Sequence, residues 1–262
     1  MDRKMIFFDV DGTILSHRSF HISESTRNAI KSAQRNGHLA FVNTGRSLAE
    51  IEGEITAIGF DGYICGCGTY ISYQNSVLLH RTIDSVLTRN IIADFDQYQL
   101  DAVLEGTKAI YYDDAVKNPF FVKVRNSQLH NHGFRVLTFK EPDIECDKFC
   151  VIPREDGDLS AFYEKYKSTF EFIDRGFHFY EVVPLGFSKA TGIRFLEEHL
   201  KISHDNTYAL GDSSNDLPML NYARYSIAMG NSSEEVLKQA SYITEDVDRD
   251  GVEQALRYYH II

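Results

Sequence analysis

Short apolar runs that end at polar residues alternate with helical patterns along much of this chain, and this alternation most constrains its fold. The first run, MIFF at residues 5–8, stops at Asp9. A helical pattern at 23–36, closed by Gly37, separates it from the second run, LAFVN at 39–43. Strands that alternate with helices pair in parallel, with the helices on the faces of the sheet. The pattern therefore predicts an α/β fold with a doubly wound parallel sheet.

The last third of the chain resumes the same alternation. A helical pattern at about 189–200 leads to the strand TYALGD, and a second helix through LPMLNYA leads to the strand SIAMG. Two more helical patterns, SSEEVLKQA and VEQALRYY, follow. We expect these strands to join the sheet of the first 80 residues.

The middle of the chain has a different pattern. After the helical segment IDSVLTRNIIADFDQYQ come short runs rich in aromatic and β-branched residues, among them FEFIDR and FHFYEVV, which are joined by Arg175-Gly176 like a hairpin. This is typical of an α+β insert. The sequence therefore predicts a core made of 1–82 and 185–262, interrupted by a second domain at 83–184.

Charge and hydropathy exclude some classes of partner. Lys and Arg number 27 against 38 Asp and Glu, and the net charge of -11 argues against nucleic acid. The apolar stretch before Asp9 is too short for a signal peptide, and no segment approaches the roughly 18 apolar residues of a membrane helix. We expect a cytoplasmic protein that associates with neither nucleic acid nor a membrane.

The cysteines do not follow a familiar metal or redox spacing. Neither Cys65 and Cys67 nor Cys146 and Cys150 form a C-x-x-C pair. Reduced, partly buried thiols are the favoured interpretation. A metal site that combines the two pairs is the less favoured alternative.

Polar residues collect at the predicted ends of three strands. Asp9 and Asp11 follow the first run, Thr44 and Gly45 follow the second, and 212–216 (DSSND) follow TYAL. Ligands of a doubly wound sheet gather at the carboxyl ends of its strands. We therefore expect these groups to share one crevice, which Lys189, at the start of the helix that returns to the core, also reaches.

The residue types in this crevice favour phosphoryl chemistry. Carboxylates brought together would repel one another unless a cation neutralised them, and Mg²⁺ prefers oxygen ligands plus a substrate phosphate. A metal, a lysine and a hydroxyl around one point can hold a phosphoryl group in transfer, and a carboxylate there can attack phosphorus. The carboxylates concerned are Asp9, Asp11, Asp212 and Asp216.

These segments, in this order, resemble the four motifs of the haloacid-dehalogenase-like (HAD) phosphatases. They are DVDGT, the Thr44-Gly45 corner, Lys189 and GDSSND. The tail from GDSSNDLPML through SIAMGNSSEEVLKQASYITEDVDRDGV is similar to the Cof-type branch, whose type IIB cap is inserted between the second and third motifs. The resemblance implies a Rossmann-like HAD core with an inserted α+β cap domain.

The resemblance also implies a role for each matching residue. Asp9 would be the nucleophile, and Asp11 would act as general acid and then general base. Mg²⁺ would be held by the Asp9 carboxylate, the Asp11 backbone carbonyl and Asp212. Phosphoryl oxygens would be held by Thr44, Gly45, Lys189 and Asn215, with Asp216 supporting the metal or the lysine.

The chain departs from the family pattern near the first hinge. Relatives often carry Asn-Gly there, whereas this chain has CGCGT, with Cys67 before Gly68. Substrate recognition at this point is therefore open. Arg46 is equally consistent with a substrate contact and with an ordinary salt bridge.

Two acidic runs invite comparison with a calcium-binding EF-hand. The run at Asp9 fails because position six of the loop, which should be glycine, is Ile14. The run DVDRDG at 246–251 places Arg257 at position twelve instead of glutamate. We interpret the second run as a solvated loop and expect Asp250 to cap the final helix.

The sequence as a whole predicts a Mg²⁺-dependent phosphatase that acts on a small phosphorylated metabolite, and the resemblance implies a sugar phosphate or a phosphorylated cofactor. Two alternatives remain open: a phosphomutase of the same superfamily, and a non-catalytic regulator that binds a phosphorylated metabolite. The sequence leaves the oligomeric state open.

Overall fold

The computed structural model describes residues 2–130 and 133–262, which form two compact units. The first unit contains Met1–Gly45, Gly53–Leu79 and Phe187–Ile262. The second contains Arg46–Glu52 and His80–Gly186. A short segment just after the second predicted motif thus belongs to the second unit.

The strands of the described residues are short, as expected for buried strands of an α/β protein. In chain order they are β1 (Met5–Phe8), β2 (Leu39–Asn43), β3 (Gly62–Cys65), β4 (Tyr70–Tyr73), β5 (Ser76–His80), β6 (Leu100–Glu105), β7 (Ile110–Tyr112), β8 (Val136–Thr138), β9 (Lys148–Pro153), β10 (Phe170–Asp174), β11 (Tyr180–Pro184), β12 (Thr207–Gly211), β13 (Tyr225–Ala228) and β14 (Tyr242–Ile243).

The helices range from one turn to about four. In chain order they are α1 (Glu24–Arg35), α2 (Glu54–Ile58), α3 (Ser85–Gln97), α4 (Pro119–His130), α5 (Leu159–Tyr166), α6 (Lys189–Leu200), α7 (Leu217–Tyr222), α8 (Glu234–Gln239) and α9 (Gly251–Tyr258).

The sheet of the first unit has the strand order β14-β13-β12-β1-β2-β3-β4-β5. From β14 to β3 the pairing is parallel, and β4 then returns antiparallel to β3. Phe8 lies in register with Val42 on one side and Leu210 on the other. The carboxyl ends of β1, β2 and β12 therefore lie next to one another, and the predicted doubly wound α/β core is confirmed.

Local sequence explains the two long helices of this unit. Ser23 caps α1 by accepting from the backbone N–H of Thr26, and its apolar residues form one buried stripe. Ser188 and Thr191 form a reciprocal capping box at the start of α6. Both helices therefore begin where the sequence predicted.

No α-helix begins directly after Gly45. A short 3₁₀ turn, Leu48–Glu50, comes first, and α2 begins only after Gly53, whose φ is 54°. Residues 46–52 instead pack with the second unit, where the Ala49 N–H donates to the Gly106 carbonyl at 3.4 Å. Tertiary contact therefore replaces local helix formation.

The second unit is a six-stranded sheet with the order β10-β11-β9-β6-β7-β8. One face carries an aromatic core in which Phe149 and Phe162 are fully buried and contact each other and Phe95 edge-on or tilted. This mixed sheet with helices has the architecture of an α+β unit.

The predicted hairpin is present, but its second strand is shorter than the alternating pattern indicated. Phe170 pairs with Pro184, and Asp174 pairs with Tyr180. Phe177 and His178 have positive φ, and Phe177 is fully exposed. The prediction that the strand begins at Phe177 was wrong, because left-handed backbone cannot continue a strand.

The four cysteines are buried and form no disulfide. No helix within the described ranges is both long and apolar enough to cross a membrane. The cytoplasmic location stays a prediction.

Candidate active site

Asp9 lies just beyond the end of β1, in the middle of the sheet. Its backbone N–H donates to the carbonyl of Leu210 at the end of β12, at 3.0 Å. The chain then turns tightly, because the N–H groups of Ile14 and Leu15 both donate to the Val10 carbonyl. The side chain of Asp9 is 6% exposed, and Asp11 is half-buried. A buried strand is thus followed by a carboxylate that has almost no access to bulk water.

Gly12 allows this turn to approach the neighbouring loop. Its φ is +82°, and a Cβ there would lie 2.3 Å from Oδ2 of Asp212. A side chain would clash with that carboxylate and would also strain the backbone. Glycine at this position of DVDGT therefore allows the loops that follow β1 and β12 to lie in close contact.

The loop after β12 organises two more carboxylates. Asp212 Oδ1 accepts from the Thr13 hydroxyl at 3.2 Å. Asp216 Oδ2 accepts from the backbone N–H groups of Asp212 and Ser213 at 2.9 and 3.0 Å. One oxygen of Asp216 is thus occupied in shaping the loop.

Lys189 is the first residue of α6, and its ammonium group joins two of these carboxylates. Nζ lies 2.7 Å from Asp9 Oδ1 and 2.5 Å from Asp216 Oδ1. The Lys189 side chain is completely buried. A lysine in this position is stable only because its charge is paired.

The electrostatics show that negative charge is in excess. Burial raises the pKa of Asp9 to about 7, with the charge of Asp216 adding to the effect and Lys189 opposing it. Burial likewise raises the pKa of Asp212 to about 8, with Asp9 and Asp216 adding to it. For Lys189, burial lowers the pKa, but Asp216 and Asp9 outweigh it and the net shift is upward. The site therefore favours an additional cation or bound protons.

The donor set fits a hard divalent ion. One carboxylate oxygen from each of Asp9, Asp212 and Asp216 lies within 4.8 Å of the others. Both oxygens of Asp216 already accept hydrogen bonds, so Asp9 and Asp212 are the two carboxylates that remain for a metal. Mg²⁺ typically needs only one or two carboxylates, with water and phosphate oxygens completing its shell.

Thr44, Gly45 and Asn215 lie on the same unit, whereas Arg46 does not. Thr44 follows β2 and is buried, with its N–H donating to the Ile64 carbonyl at 2.9 Å. Gly45 is the last residue of the first segment of this unit. Asn215 is buried beside Asp216, and its Oδ1 accepts from the Ser213 hydroxyl at 2.7 Å. Arg46 belongs to the second unit, where Nη1 donates to the Glu50 carbonyl at 3.3 Å.

A sequence model of the haloacid dehalogenase-like hydrolases matches residues 6–256, which include every one of these side chains. The chain belongs to this family. The resemblance to HAD enzymes of the Cof type is confirmed, and so is the expectation of a phosphatase-type hydrolase.

Relatives extend over the whole chain. A Bacillus subtilis (strain 168) protein named Putative phosphatase YkrA is 30% identical, and the match covers 98% of each chain. The 5-amino-6-(5-phospho-D-ribitylamino)uracil phosphatase YcsE of the same organism is 26% identical over 99% of this chain and 96% of its own. The crystallographically studied HAD subclass IIB sugar phosphatase BT4131 is 27% identical, with a TM-score of 0.83 and coverage of 99% and 100%.

Sequence reasoning assigned no role to Asn231, which connects two loops of this HAD core. Nδ2 donates to the Gly12 carbonyl at 2.8 Å, and Oδ1 accepts from the Val247 N–H at 2.9 Å. Its position in GNSS, directly after the strand SIAMG, is the signal that could have suggested it. Asn231 thus adds a hydrogen bond from another loop to the hydrogen bonds formed within the turn after β1.

Cys67 also lies close to the site. It has left-handed backbone angles, φ 54° and ψ 38°, and its N–H donates to the Thr44 carbonyl at 3.1 Å. Asn and Gly adopt this conformation more readily than other residues. Cys67 therefore holds a left-handed backbone conformation at a steric cost.

One sequence prediction near the end of the chain was wrong. Asp250 precedes α9, but its side chain does not cap the helix. Its Oδ1 accepts instead from the Ser25 hydroxyl at 2.5 Å. A tertiary hydrogen bond to the N-terminal end of α1 replaces the local cap.

Proposed function

We propose that this HAD hydrolase is a Mg²⁺-dependent phosphomonoesterase that acts on a small phosphorylated metabolite through an aspartyl-phosphate. The observation that carries the proposal is the buried contact of the Lys189 ammonium with Asp9 and Asp216, with Asp212 beside them. Such a site pairs an attacking carboxylate with a positive charge that can bind phosphoryl oxygens.

Asp9 is the nucleophile. Its carboxylate oxygen forms a bond to phosphorus while the bond from phosphorus to the ester oxygen breaks. Asp11 gives its proton to the departing alkoxide. In the second step Asp11 takes a proton from water, whose oxygen attacks phosphorus, so that inorganic phosphate leaves and Asp9 is regenerated.

Thr44, Gly45, Lys189 and Asn215 hold the phosphoryl oxygens. Lys189 supplies a positive charge that burial leaves unscreened by water. Asp216 orients that ammonium through Oδ1 and the loop of Asp212 through Oδ2. The role of Asp216 is therefore support for both binding groups.

Mg²⁺ would be held by the Asp9 carboxylate, the Asp11 backbone carbonyl and Asp212. When bound, it would supply positive charge that polarises the phosphoryl group and neutralises the excess of carboxylates. The fit of Asp9 and Asp212 to oxygen-preferring ions supports this assignment.

The proposed substrate is a sugar phosphate or a phosphorylated cofactor or cofactor precursor. The names of two relatives support this class, since one is a sugar phosphatase and the other acts on a phosphorylated ribitylaminouracil. We further propose that 83–184 is a cap domain that selects the substrate, with 1–82 and 185–262 as the core.

The test is release of inorganic phosphate from p-nitrophenyl phosphate and from a panel of sugar and cofactor phosphates, with Mg²⁺ or with EDTA. We expect Mg²⁺-dependent release by the wild type and a loss of several orders of magnitude in Asp9→Asn, because the nucleophile is removed. Asp205→Asn is the matched control, since Asp205 is an exposed carboxylate of the same unit.

Release that persists in Asp9→Asn would refute the covalent route. Transfer of the phosphoryl group to a second position of the substrate, without free phosphate, would favour the phosphomutase. Binding of substrate without turnover in the wild type would favour the non-catalytic regulator.

A further inference from the structure

Asn43 is a buried polar residue in a strand that is otherwise apolar. It ends the run LAFVN of β2, has no exposed surface and directly precedes Thr44. It lies in register with Ile64 of β3. An apolar residue would fit such an environment better than an amide does.

The amide makes a single strong contact and leaves one of its atoms without a partner. Nδ2 donates to the backbone carbonyl of Lys189 at 3.0 Å and lies 3.4 Å from Sδ of Met219. Oδ1 is buried and accepts no hydrogen bond. If the amide were flipped, Oδ1 would face the Lys189 carbonyl, which is also an acceptor. Nδ2 must therefore be the atom that faces Lys189.

A buried acceptor without a donor destabilises the folded state. Leucine branches at the same atom as asparagine, has the same number of side-chain heavy atoms and carries no polar atom, although its two methyl groups make it larger. On stability alone, the structure therefore gives no reason for an amide at this position. Unsatisfied buried groups of this kind occur where function requires a particular geometry.

The hydrogen bond from Asn43 is made to Lys189, the residue of α6 whose side chain contacts Asp9 and Asp216. The first turn of this helix is located by two other features. Ser188 caps it through the Thr191 N–H, and Gly192 packs so closely on Ile64 that a Cβ would lie 2.6 Å from Cγ2. Asn43 adds the contact to Lys189 itself, from the strand that leads into Thr44.

We propose that Asn43 is a positioning residue that holds the backbone of Lys189 so that its ammonium stays between Asp9 and Asp216. The inference rests on the proposed function, because it assigns to Lys189 the binding of phosphoryl oxygens. Asn43 touches no reacting atom. It links the strand that leads into Thr44 to the residue that carries the positive charge, and misplacement by about 1 Å is enough to slow such chemistry.

The test is Asn43→Leu, which removes the donor and the orphaned acceptor together. We expect a melting temperature close to that of the wild type, because loss of the orphaned acceptor offsets the cost of the larger side chain. We also expect kcat to fall about 10- to 100-fold and the inhibition constant of inorganic phosphate to rise. Both are measured with Mg²⁺ and p-nitrophenyl phosphate, and phosphate binding is also measured directly by calorimetry.

Asn36→Leu is the matched control. It removes a hydrogen bond of the same type at an exposed residue, from Nδ2 of Asn36 to the Ile261 carbonyl at 2.8 Å, just beyond the end of α1. We expect a lower melting temperature with kcat and phosphate affinity unchanged. Opposite responses of stability and activity in the two variants distinguish positioning from ordinary structural support.

Asn43→Leu with kcat and phosphate affinity within twofold of the wild type would overturn the inference. Where Leu is not accommodated, Asn43→Ala, which adds no atoms, is judged by the same two readouts. Absence of turnover in the wild type would instead refute the proposed function, and the calorimetric binding of phosphate would still decide the role of Asn43.

Discussion

Each of the two units buries a lysine between two carboxylates. In the first unit, Lys189 Nζ lies 2.7 Å from Asp9 and 2.5 Å from Asp216. In the second, Lys148 Nζ lies 2.8 Å from Glu105 and 2.9 Å from Glu181. Both lysine side chains are at most 3% exposed. Burial and pairing alone therefore do not separate a reactive site from a structural one.

Charge balance separates the two clusters. Beside Lys189 there is a third carboxylate, Asp212, so negative charge is in excess. Beside Lys148, Arg175 pairs with Glu181 at 3.0 Å, so the protein supplies a second positive group there, while Glu50 adds negative charge near Glu105. The first cluster gains from binding a cation, whereas in the second the protein itself provides a second positive side chain, Arg175.

The elements that carry the clusters also differ. Glu105 and Lys148 face each other in register on β6 and β9, and Glu181 lies on the neighbouring strand β11. Regular strands on both sides hold these groups in place. The residues around Lys189 come instead from loops and a helix start at the ends of strands, where a ligand can approach.

Removal of Lys189 should have the largest effect on activity. We expect Lys189→Met to lower kcat about 10²- to 10³-fold, because a preorganised positive charge at the phosphoryl group is lost. Steady-state kinetics with Mg²⁺ at saturating p-nitrophenyl phosphate measures this. A loss smaller than about threefold would contradict the role given to Lys189.

Removal of Lys148 should affect stability instead. Lys148→Met leaves the buried carboxylate of Glu105 without the ammonium that pairs with it, while Glu181 keeps Arg175, so the free energy of unfolding should fall by about 3–5 kcal/mol. Urea unfolding measures the change, and kcat for p-nitrophenyl phosphate should stay within about threefold in the folded protein. A variant of wild-type stability would show that the pair contributes little.

Asp212→Asn should reduce the excess of negative charge around Lys189. We expect the Mg²⁺-free protein to melt at a higher temperature, since repulsion with Asp9 and Asp216 is reduced. The stabilisation by added Mg²⁺ should shrink, with an affinity at least about 10-fold weaker. Thermal melts over a Mg²⁺ titration test both, with Asp205→Asn as control. An unchanged response to Mg²⁺ would remove Asp212 from the proposed ligands.

Replacement of Glu105 should have the smallest effect, which would appear as a change in how the free energy of unfolding depends on pH. Burial raises the pKa of Glu105 to about 8, and Lys148 opposes this while Glu50 adds to it. This pKa exceeds the ordinary value of 4.5. The contribution of Glu105 to the free energy of unfolding is therefore at its full value below about pH 4.5. It is lost as the pH rises through 8, by up to about 1.4 kcal/mol per pH unit.

Glu105→Gln should therefore flatten the decline of stability between pH 5 and 9. Urea unfolding at several pH values in that range measures the slope for wild type and variant. Glu164→Gln, which changes an exposed carboxylate of the same unit, should keep the wild-type slope. Equal slopes in all three proteins would show that Glu105 is ionised throughout.

The core was predictable because its signals are local. Each apolar run of the parallel sheet ends at its own polar group, as with Asp9 after MIFF and Thr44 after LAFVN. Strand ends of a parallel sheet share one edge, so the contacts among Asp9, Lys189 and Asp216 follow from topology. The cluster of the second unit had no such signal, since Glu105 and Lys148 meet only through antiparallel register.

Local patterns failed where tertiary contacts decide the backbone. Phe177 and His178 alternate with their neighbours like a strand, yet they form a left-handed loop. Asp250 has the chemistry of a helix cap but is engaged by Ser25. In each case a contact with a distant segment, or the geometry of a turn, outweighed a weak local preference.

The sequence by itself determined the fold class and the residues of the candidate site, because hydrophobic periodicity and polar residues at strand ends are properties of neighbouring residues. Only the tertiary structure decided the charge balance around Lys189 and Lys148 and the contact of Asn43 with Lys189. Coulomb interactions and hydrogen bonds act over a few ångströms between segments that are far apart in the chain. Their partners therefore become known only when the chain is folded.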